Sequence, residues 1–105
     1  MKEITVSDLK ALIDSKADFQ LIDVREPHEY EICHLGGDLI PLSTIPDNIE
    51  RVNRDRQVII HCRSGARSGQ AVNWLEKNHG FQNIYNLKGG ILAWANEVDL
   101  DFPKY

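Results

Sequence analysis

One stretch of the sequence organises the rest of the chain: Val58-Ile59-Ile60-His61-Cys62-Arg63-Ser64-Gly65-Ala66-Arg67-Ser68. Its apolar start is typical of a strand that is buried on both faces, as in a parallel sheet. A helical pattern follows directly, with Ala71, Val72 and Leu75 predicted to face inward. The sequence therefore places Cys62 at a strand-to-helix turn, which is where open parallel sheets bind their ligands.

The composition is that of an ordinary globular domain. The chain has 105 residues, of which 42% are hydrophobic and 27% are charged, and we expect a single domain over residues 1–105. The formal net charge of −4 predicts no general attraction to nucleic acid or to anionic membranes. Two cysteines and no signal-like N-terminus predict a reducing, cytoplasmic setting. Because the chain as a whole carries a negative net charge, the positive charge near Cys62 is local, which favours a small anionic ligand.

Strand and helix patterns alternate along the chain. Strands are predicted at residues 4–6, 19–24, 39–42, 57–61 and 84–87. Helices are predicted after a cap at Ser7, at residues 26–31, after a cap at Ser43 or Thr44, at residues 64–79, and from Gly89-Gly90 onward. Such alternation predicts an α/β fold, with a parallel sheet covered by helices on both faces.

Two sets of apolar residues have helical spacing and should each line a buried helix face: Leu9, Leu12 and Ile13 in the first helix, and Ile45, Ile49 and Val52 in the helix after residue 44. Pro46 should occupy the first turn of that second helix. Gly80 is expected just beyond the end of the helix that follows Cys62.

Cys62 is predicted to be a nucleophile. A helix N-terminus and nearby arginines lower the pKa of a thiol, and Arg63 and Arg67 flank this loop. Successive N–H groups from Arg63 through Arg67 could converge on one anion, and Gly65 allows the positive φ that a tight loop needs. The two serine hydroxyls of the loop can donate further hydrogen bonds. A buried structural cysteine is the alternative, but it would have no need of two guanidinium groups.

Three further segments accompany this loop: Leu21-Ile22-Asp23-Val24-Arg25-Glu26 with Glu29-Tyr30, His34-Leu35-Gly36-Gly37 with Ile40-Pro41-Leu42, and Asn86-Leu87-Lys88-Gly89-Gly90-Ile91-Leu92-Ala93-Trp94. Together with the loop that begins at Cys62, they resemble in order the motifs of rhodanese-domain sulfurtransferases. The resemblance runs from about Ile4 to Val98, which is nearly the whole chain.

This resemblance implies a rhodanese-like three-layer sandwich with a five-stranded parallel sheet, and a persulfide mechanism. Cys62 would take sulfane sulfur from thiosulfate or from a protein persulfide and pass it to cyanide, a thiol or a sulfur-carrier protein. No cofactor is implied beyond the covalent cysteine persulfide. A cysteine desulfurase or a sulfur-carrier protein is the kind of protein partner considered. The substrate-binding residues implied are Arg63, Ser64, Gly65, Ala66 and Arg67.

The chain also departs from the common pattern of the family. Cys33 stands where a glycine is usual before the histidine of the second motif, and the segment 37–41 is one residue shorter. The short turn and the final Phe102-Pro103-Lys104-Tyr105 look most like rhodanese modules at the C-terminus of adenylating enzymes, which activate ubiquitin-like sulfur carriers.

Other functions with related sequence features are less well supported. Cysteine phosphatases and arsenate reductases of this fold resemble Cys-x5-Arg, whereas four residues separate Cys62 from Arg67 here. Non-catalytic rhodanese modules, used for interaction, typically lack the cysteine. A metal site is disfavoured because neighbouring strand residues such as His61 and Cys62 point to opposite faces, and no Cys-x2-Cys spacing is present.

For several side chains, the sequence leaves two interpretations open. Asp23 and Arg25 either shape the wall of the active site or form a salt-bridged strand end that braces the next helix. Cys33 is either a packed turn residue, which we favour, or a resolving thiol for Cys62. His34 is expected to be a hydrogen-bonded structural residue.

Overall fold

A five-stranded sheet in which all neighbouring strands are parallel forms the centre of the protein. The computed structural model describes residues 1–105. The strands are β1 (Glu3–Ile4), β2 (Phe19–Asp23), β3 (Asp38–Leu39), β4 (Gln57–His61) and β5 (Ile84–Leu87). They are ordered β1-β5-β4-β2-β3, so the strand that leads to Cys62 is the central one. This arrangement confirms the predicted sheet.

Helices cover both faces of the sheet, which confirms the predicted three layers. They are α1 (Val6–Asp14), α2 (Pro27–Ile32), α3 (Ala66–His79) and α4 (Gly90–Glu97), with two 3-10 segments at Leu42–Asp47 and Ile49–Arg51. Residues of α3 and the first 3-10 segment share one core cluster, and residues of α1 and α4 share the other. None of these helices combines the length and the apolar character needed to cross a membrane.

Side chains of β4 alternate between these two layers, as the pleat of a strand requires. Val58, Ile60 and Cys62 belong to the core cluster that contains α3. Ile59 belongs to the cluster that contains α1 and α4. The sulfur of Cys62 therefore lies on the side of the sheet that α3 covers. Separately, the structure contains no group of three His, Cys, Asp or Glu side chains that could hold a metal ion.

The sheet has its topological switch point between β2 and β4. The chain leaves β2 through α2 toward β3 on one side, whereas it leaves β4 through α3 toward β5 on the other. The carboxyl ends of these two strands are in register, with Asp23 opposite His61. Connections that diverge in this way open a crevice at the strand ends, and Cys62 lies at that end of β4.

The first helix begins earlier than predicted. Its cap is Thr5 instead of Ser7, because Thr5 Oγ1 accepts a hydrogen bond from the Asp8 amide (3.1 Å) while Asp8 Oδ2 accepts one from the Thr5 amide (3.2 Å). Such a reciprocal capping box satisfies two N–H groups at once. Ile13 is 38% exposed, contrary to the prediction, because it lies in the last turn and borders an open groove beside Phe19.

The segment between β3 and β4 also differs from its prediction. It forms two 3-10 segments instead of an α-helix, because Pro46 lies inside the first of them and has no N–H to donate. Ile45 and Val52 are buried as predicted, whereas Ile49 is only partly buried. The spacing of apolar residues was therefore a better guide to burial than to helix type.

The start of α4 supports the backbone of the loop after β4. The amides of Ile91 and Leu92 donate to the carbonyl oxygens of Cys62 and Arg63, both at 3.0 Å. Gly90 makes this approach possible: its φ is +58°, and a Cβ there would lie 2.5 Å from Arg63 O. Hydrogen bonds from the first turn of α4 thus hold the backbone of Cys62 in place.

Gly90→Ala is expected to destabilise the fold much more than Gly80→Ala. Both glycines have a positive φ, so either alanine costs about 1–2 kcal/mol of backbone strain. Only at Gly90 would the added Cβ meet neighbouring atoms, and such overpacking adds about 1–3 kcal/mol. Chemical denaturation should therefore show a loss of roughly 2–5 kcal/mol for Gly90→Ala. Equal losses for the two variants would contradict the close packing of α4 on the loop.

Candidate active site

The sulfur of Cys62 lies in a ring of hydrogen-bond donors at the carboxyl end of β4. The residue is 1% exposed, and its Sγ accepts from the Gly65 amide at 3.1 Å and lies 3.4 Å from Ser68 Oγ. Gly65 has a φ of +108° and is the cap residue before α3. This left-handed conformation lets α3 begin directly after the amide that donates to the sulfur, which is the reason for a glycine at this position.

These donors change the acidity of the thiol. Burial raises the pKa of Cys62, because a thiolate loses the solvation of water. The hydroxyl of Ser68 and the amides of Ser68, Gly65 and Ser64 outweigh this effect and hold the pKa below its ordinary value. The sequence predicted that amides from Arg63 through Arg67 converge. Of these, the Gly65 amide donates a hydrogen bond to the sulfur in the structure.

Ser68 and Asn86 form a second layer around the sulfur. Ser68 is fully buried, and its Oγ donates to Asn86 Oδ1 at 2.5 Å. A hydroxyl has one proton, so Ser68 donates either to Asn86 or to the sulfur at any one time. Asn86 Nδ2 donates to the Gly65 carbonyl at 3.2 Å. Asn86 on β5 therefore orients the serine and the turn together.

Arg67 is paired with an acidic residue that the sequence analysis did not select. Its Nη1 and Nη2 donate to the two carboxylate oxygens of Glu29, at 2.7 and 2.9 Å. Pairing with Arg67 outweighs burial and lowers the pKa of Glu29 to about 2. The same contact raises the pKa of Arg67 above its usual value. The second arginine of the loop therefore has a neutralising partner in α2.

Asp23 and Arg25 form a fully buried ion pair, with Arg25 Nη2 2.7 Å from Asp23 Oδ2. Arg25 also donates to the carbonyl oxygens of Cys33 (2.7 Å) and Glu29 (3.4 Å), which lie at the C-terminal end and in the middle of α2. These contacts hold α2 against the end of β2, which was one of the two interpretations of the Asp23–Arg25 pair. None of the hydrogen bonds of Arg25 reaches the Cys62 loop directly.

Tyr105 joins the two ion pairs. Its hydroxyl accepts from Arg25 Nη1 at 2.7 Å and donates to Glu29 Oε2 at 2.8 Å. Its main-chain oxygen accepts from Arg63 Nη2, and its ring lies 5.0 Å from the Arg63 guanidinium carbon. The only sequence signal for this role was the resemblance of the final four residues to one subgroup of the family.

The remaining candidates lie around this centre. Cys33 is buried at the C-cap of α2, where its Sγ is 3.9 Å from the Pro103 carbonyl oxygen, and both cysteines are free thiols. His34 Nδ1 accepts from the Gly36 amide at 3.0 Å, which agrees with the structural role expected for it. His61 is fully buried, and burial lowers its pKa, so its ring is neutral.

Comparison with known proteins agrees with this geometry. Residues 5–97 match the family described as the rhodanese-like domain. A protein named sulfurtransferase from Allochromatium vinosum is 38% identical over 96 residues, which cover 90% of this chain and 89% of that protein. The solved structure of a rhodanese-like domain protein from Staphylococcus aureus has a TM-score of 0.82 and 35% identity, with coverage of 93% and 95%.

Longer relatives contain a region similar to this chain. The probable adenylyltransferase/sulfurtransferase MoeZ of Mycobacterium tuberculosis is 37% identical over 105 residues, which cover 97% of this chain and 26% of that protein. This relative agrees with the predicted likeness to modules of adenylating enzymes. The chain spans about a quarter to two fifths of the length of such curated relatives. With a family match over nearly its whole length and the parallel sheet that places Cys62 in its loop, the chain belongs to the rhodanese-like domain family.

Proposed function

We propose that this protein is a sulfurtransferase that carries one sulfane sulfur atom as a persulfide on Cys62. The observation that supports this most directly is the buried sulfur, which takes hydrogen bonds from the Gly65 amide and the Ser68 hydroxyl and has a lowered pKa. Relatives named sulfurtransferase support sulfur transfer as the general activity. The identity of the donor and the acceptor is part of the proposal.

The first step is a nucleophilic displacement at sulfur. The Cys62 thiolate attacks the outer sulfur of thiosulfate, a new S–S bond forms, and the S–S bond of the donor breaks. Sulfite leaves as a dianion with the electron pair of that bond, and the persulfide keeps the negative charge that the outer sulfur carried in thiosulfate. A protein persulfide would react in the same way and release a thiolate. The lowered pKa of Cys62 favours the thiolate, and a thiolate attacks without the help of a general base.

The second step returns the thiolate. An acceptor such as cyanide, a thiol or a sulfur-carrier protein attacks the outer sulfur, and Cys62 leaves with the bonding electrons as a thiolate. The amides of the loop from Arg63 to Arg67 would hold the charged outer sulfur between the two steps. A cysteine desulfurase as donor and a sulfur-carrier protein as acceptor are the protein partners that we propose.

Incubation with thiosulfate should add about 32 Da, the mass of one sulfur atom, to the protein. Intact-mass and peptide spectra should locate the adduct on Cys62, and the Cys62→Ser variant should show none. Cys33→Ser is the matched control and should retain the adduct. An adduct confined to Cys33, or phosphate release from an aryl phosphate without thiocyanate formation from thiosulfate and cyanide, would overturn the proposal.

Ser68→Ala should move the ionisation of Cys62 to higher pH, because it removes a hydrogen bond that favours the thiolate. The readout is the pH profile of iodoacetamide alkylation in a Cys33→Ser background. Hydrogen bonds to charged groups are worth about 1.5–3 kcal/mol, so the alkylation rate near neutral pH should fall by at least about five-fold. Ser7→Ala, an exposed serine in α1, is the matched control. An unchanged profile in Ser68→Ala would contradict the assigned role of this hydroxyl.

A further inference from the structure

We infer that Glu29 determines which sulfur donors the site accepts. Its carboxylate neutralises Arg67 next to the Cys62 loop, so the site disfavours small dianionic donors relative to donors of lower charge. The inference rests on the proposed function, since it concerns the molecules that deliver sulfur to Cys62. It assigns a specificity-determining role to a residue outside the loop.

The contact between Glu29 and Arg67 occupies the guanidinium in a two-point geometry. Both terminal nitrogens of Arg67 donate to Glu29, and the two side chains are 33% and 10% exposed. Bidentate pairs of this kind are the strongest that arginine forms with a carboxylate. An anionic donor would have to displace the carboxylate to bind Arg67 in the same way.

Glu29 is held in place from other directions as well. Each of its carboxylate oxygens accepts two hydrogen bonds: Oε1 from Arg67 and from the Glu26 amide (3.0 Å), and Oε2 from Arg67 and from the Tyr105 hydroxyl (2.8 Å). A carboxylate has about four acceptor positions, so its capacity is used. Its lowered pKa keeps it ionised at neutral pH. The negative charge is therefore a fixed part of the site.

The other cation of the loop is engaged differently. Arg63 Nη2 donates to the main-chain oxygen of Tyr105, and no Asp or Glu side chain forms a salt bridge with Arg63. Glu29 therefore adds one negative charge beside a guanidinium group of the loop. That charge repels a dianion such as thiosulfate about twice as strongly as a monoanion. Its removal should favour a dianion relative to a monoanion.

A purely structural role of the pair makes a different prediction. If Glu29 only ties α2 to α3, its loss should reduce stability and affect all donors to the same extent. If its charge sets donor preference, its loss should change the ratio between donors that differ in charge. Thiosulfate and methanethiosulfonate form such a pair, because a methyl group replaces one charged oxygen while the reacting S–S bond stays the same.

The first test is the ratio of kcat/KM for thiosulfate to kcat/KM for methanethiosulfonate, with cyanide as acceptor. Glu29→Gln should raise this ratio by about three-fold or more, because it removes the negative charge that is paired with Arg67, whose own charge interacts with Cys62. Glu31→Gln is the matched control: it lies on the same helix, is exposed, and changes the net charge equally. Glu29→Asp retains the charge and should keep the ratio of the unchanged protein.

The second test does not depend on sulfur transfer. Cys62 is alkylated in a Cys33→Ser background by iodoacetate, an anion, and by iodoacetamide, which is neutral. Glu29→Gln should raise the ratio of the two rates by a similar factor, and Glu31→Gln should not. Thermal unfolding verifies that each variant is folded. If Glu29→Gln does not fold, Arg67→Gln should move both ratios in the opposite direction, because it leaves the Glu29 charge uncompensated.

These tests separate the inference from the proposed function. A shift of both ratios that is specific to Glu29→Gln supports the inference. Unchanged ratios in a folded Glu29→Gln variant, or equal shifts in Glu31→Gln, would overturn it. If the unchanged protein transferred no sulfur from either donor, the proposed function and the donor preference would both fail, whereas the alkylation ratio would still decide whether Glu29 sets the charge at Cys62.

Discussion

The burial of the Cys62 thiol is the constraint on which the rest of this structure depends. Cys62 is almost fully removed from solvent, and burial by itself raises the pKa of its thiol. Charge at this position therefore requires donors that are already oriented before the reaction. The turn at Gly65, the hydroxyl of Ser68 and the start of α3 supply them, and α4 supports the same loop through the carbonyl of Cys62.

Charge at the site is distributed through a chain of contacts that extends well beyond the loop. The buried pair Asp23–Arg25 connects through Tyr105 to Glu29, and Glu29 connects to Arg67. Opposite charges alternate along this chain, so each ion has a partner at hydrogen-bond distance. Such an arrangement reduces the cost of burying ions, and it also limits the positive charge that a ligand meets at Cys62. The same contacts thus stabilise the fold and reduce the positive charge near Cys62.

Much of this could be predicted from the sequence because it is encoded locally. The apolar run before Cys62 specified a buried parallel strand, and Gly80 ended α3 as expected. The partnership of Glu29 with Arg67 could not be predicted, since 38 positions separate them and only the tertiary fold brings α2 to the start of α3. Tyr105 lies further still from its partner Glu29. The helix type around Pro46 differed from the prediction because proline has no N–H to donate, and the spacing of apolar residues does not report this.

The most direct test of the central claim is a crystal structure of the protein after reaction with thiosulfate. The account predicts one additional sulfur atom bonded to Cys62 Sγ, within hydrogen-bond distance of amides of the loop between Arg63 and Arg67. It also predicts that Glu29 remains paired with Arg67 in that state. An unmodified Cys62 in crystals that have reacted with thiosulfate, or an extra sulfur on Cys33 alone, would contradict it.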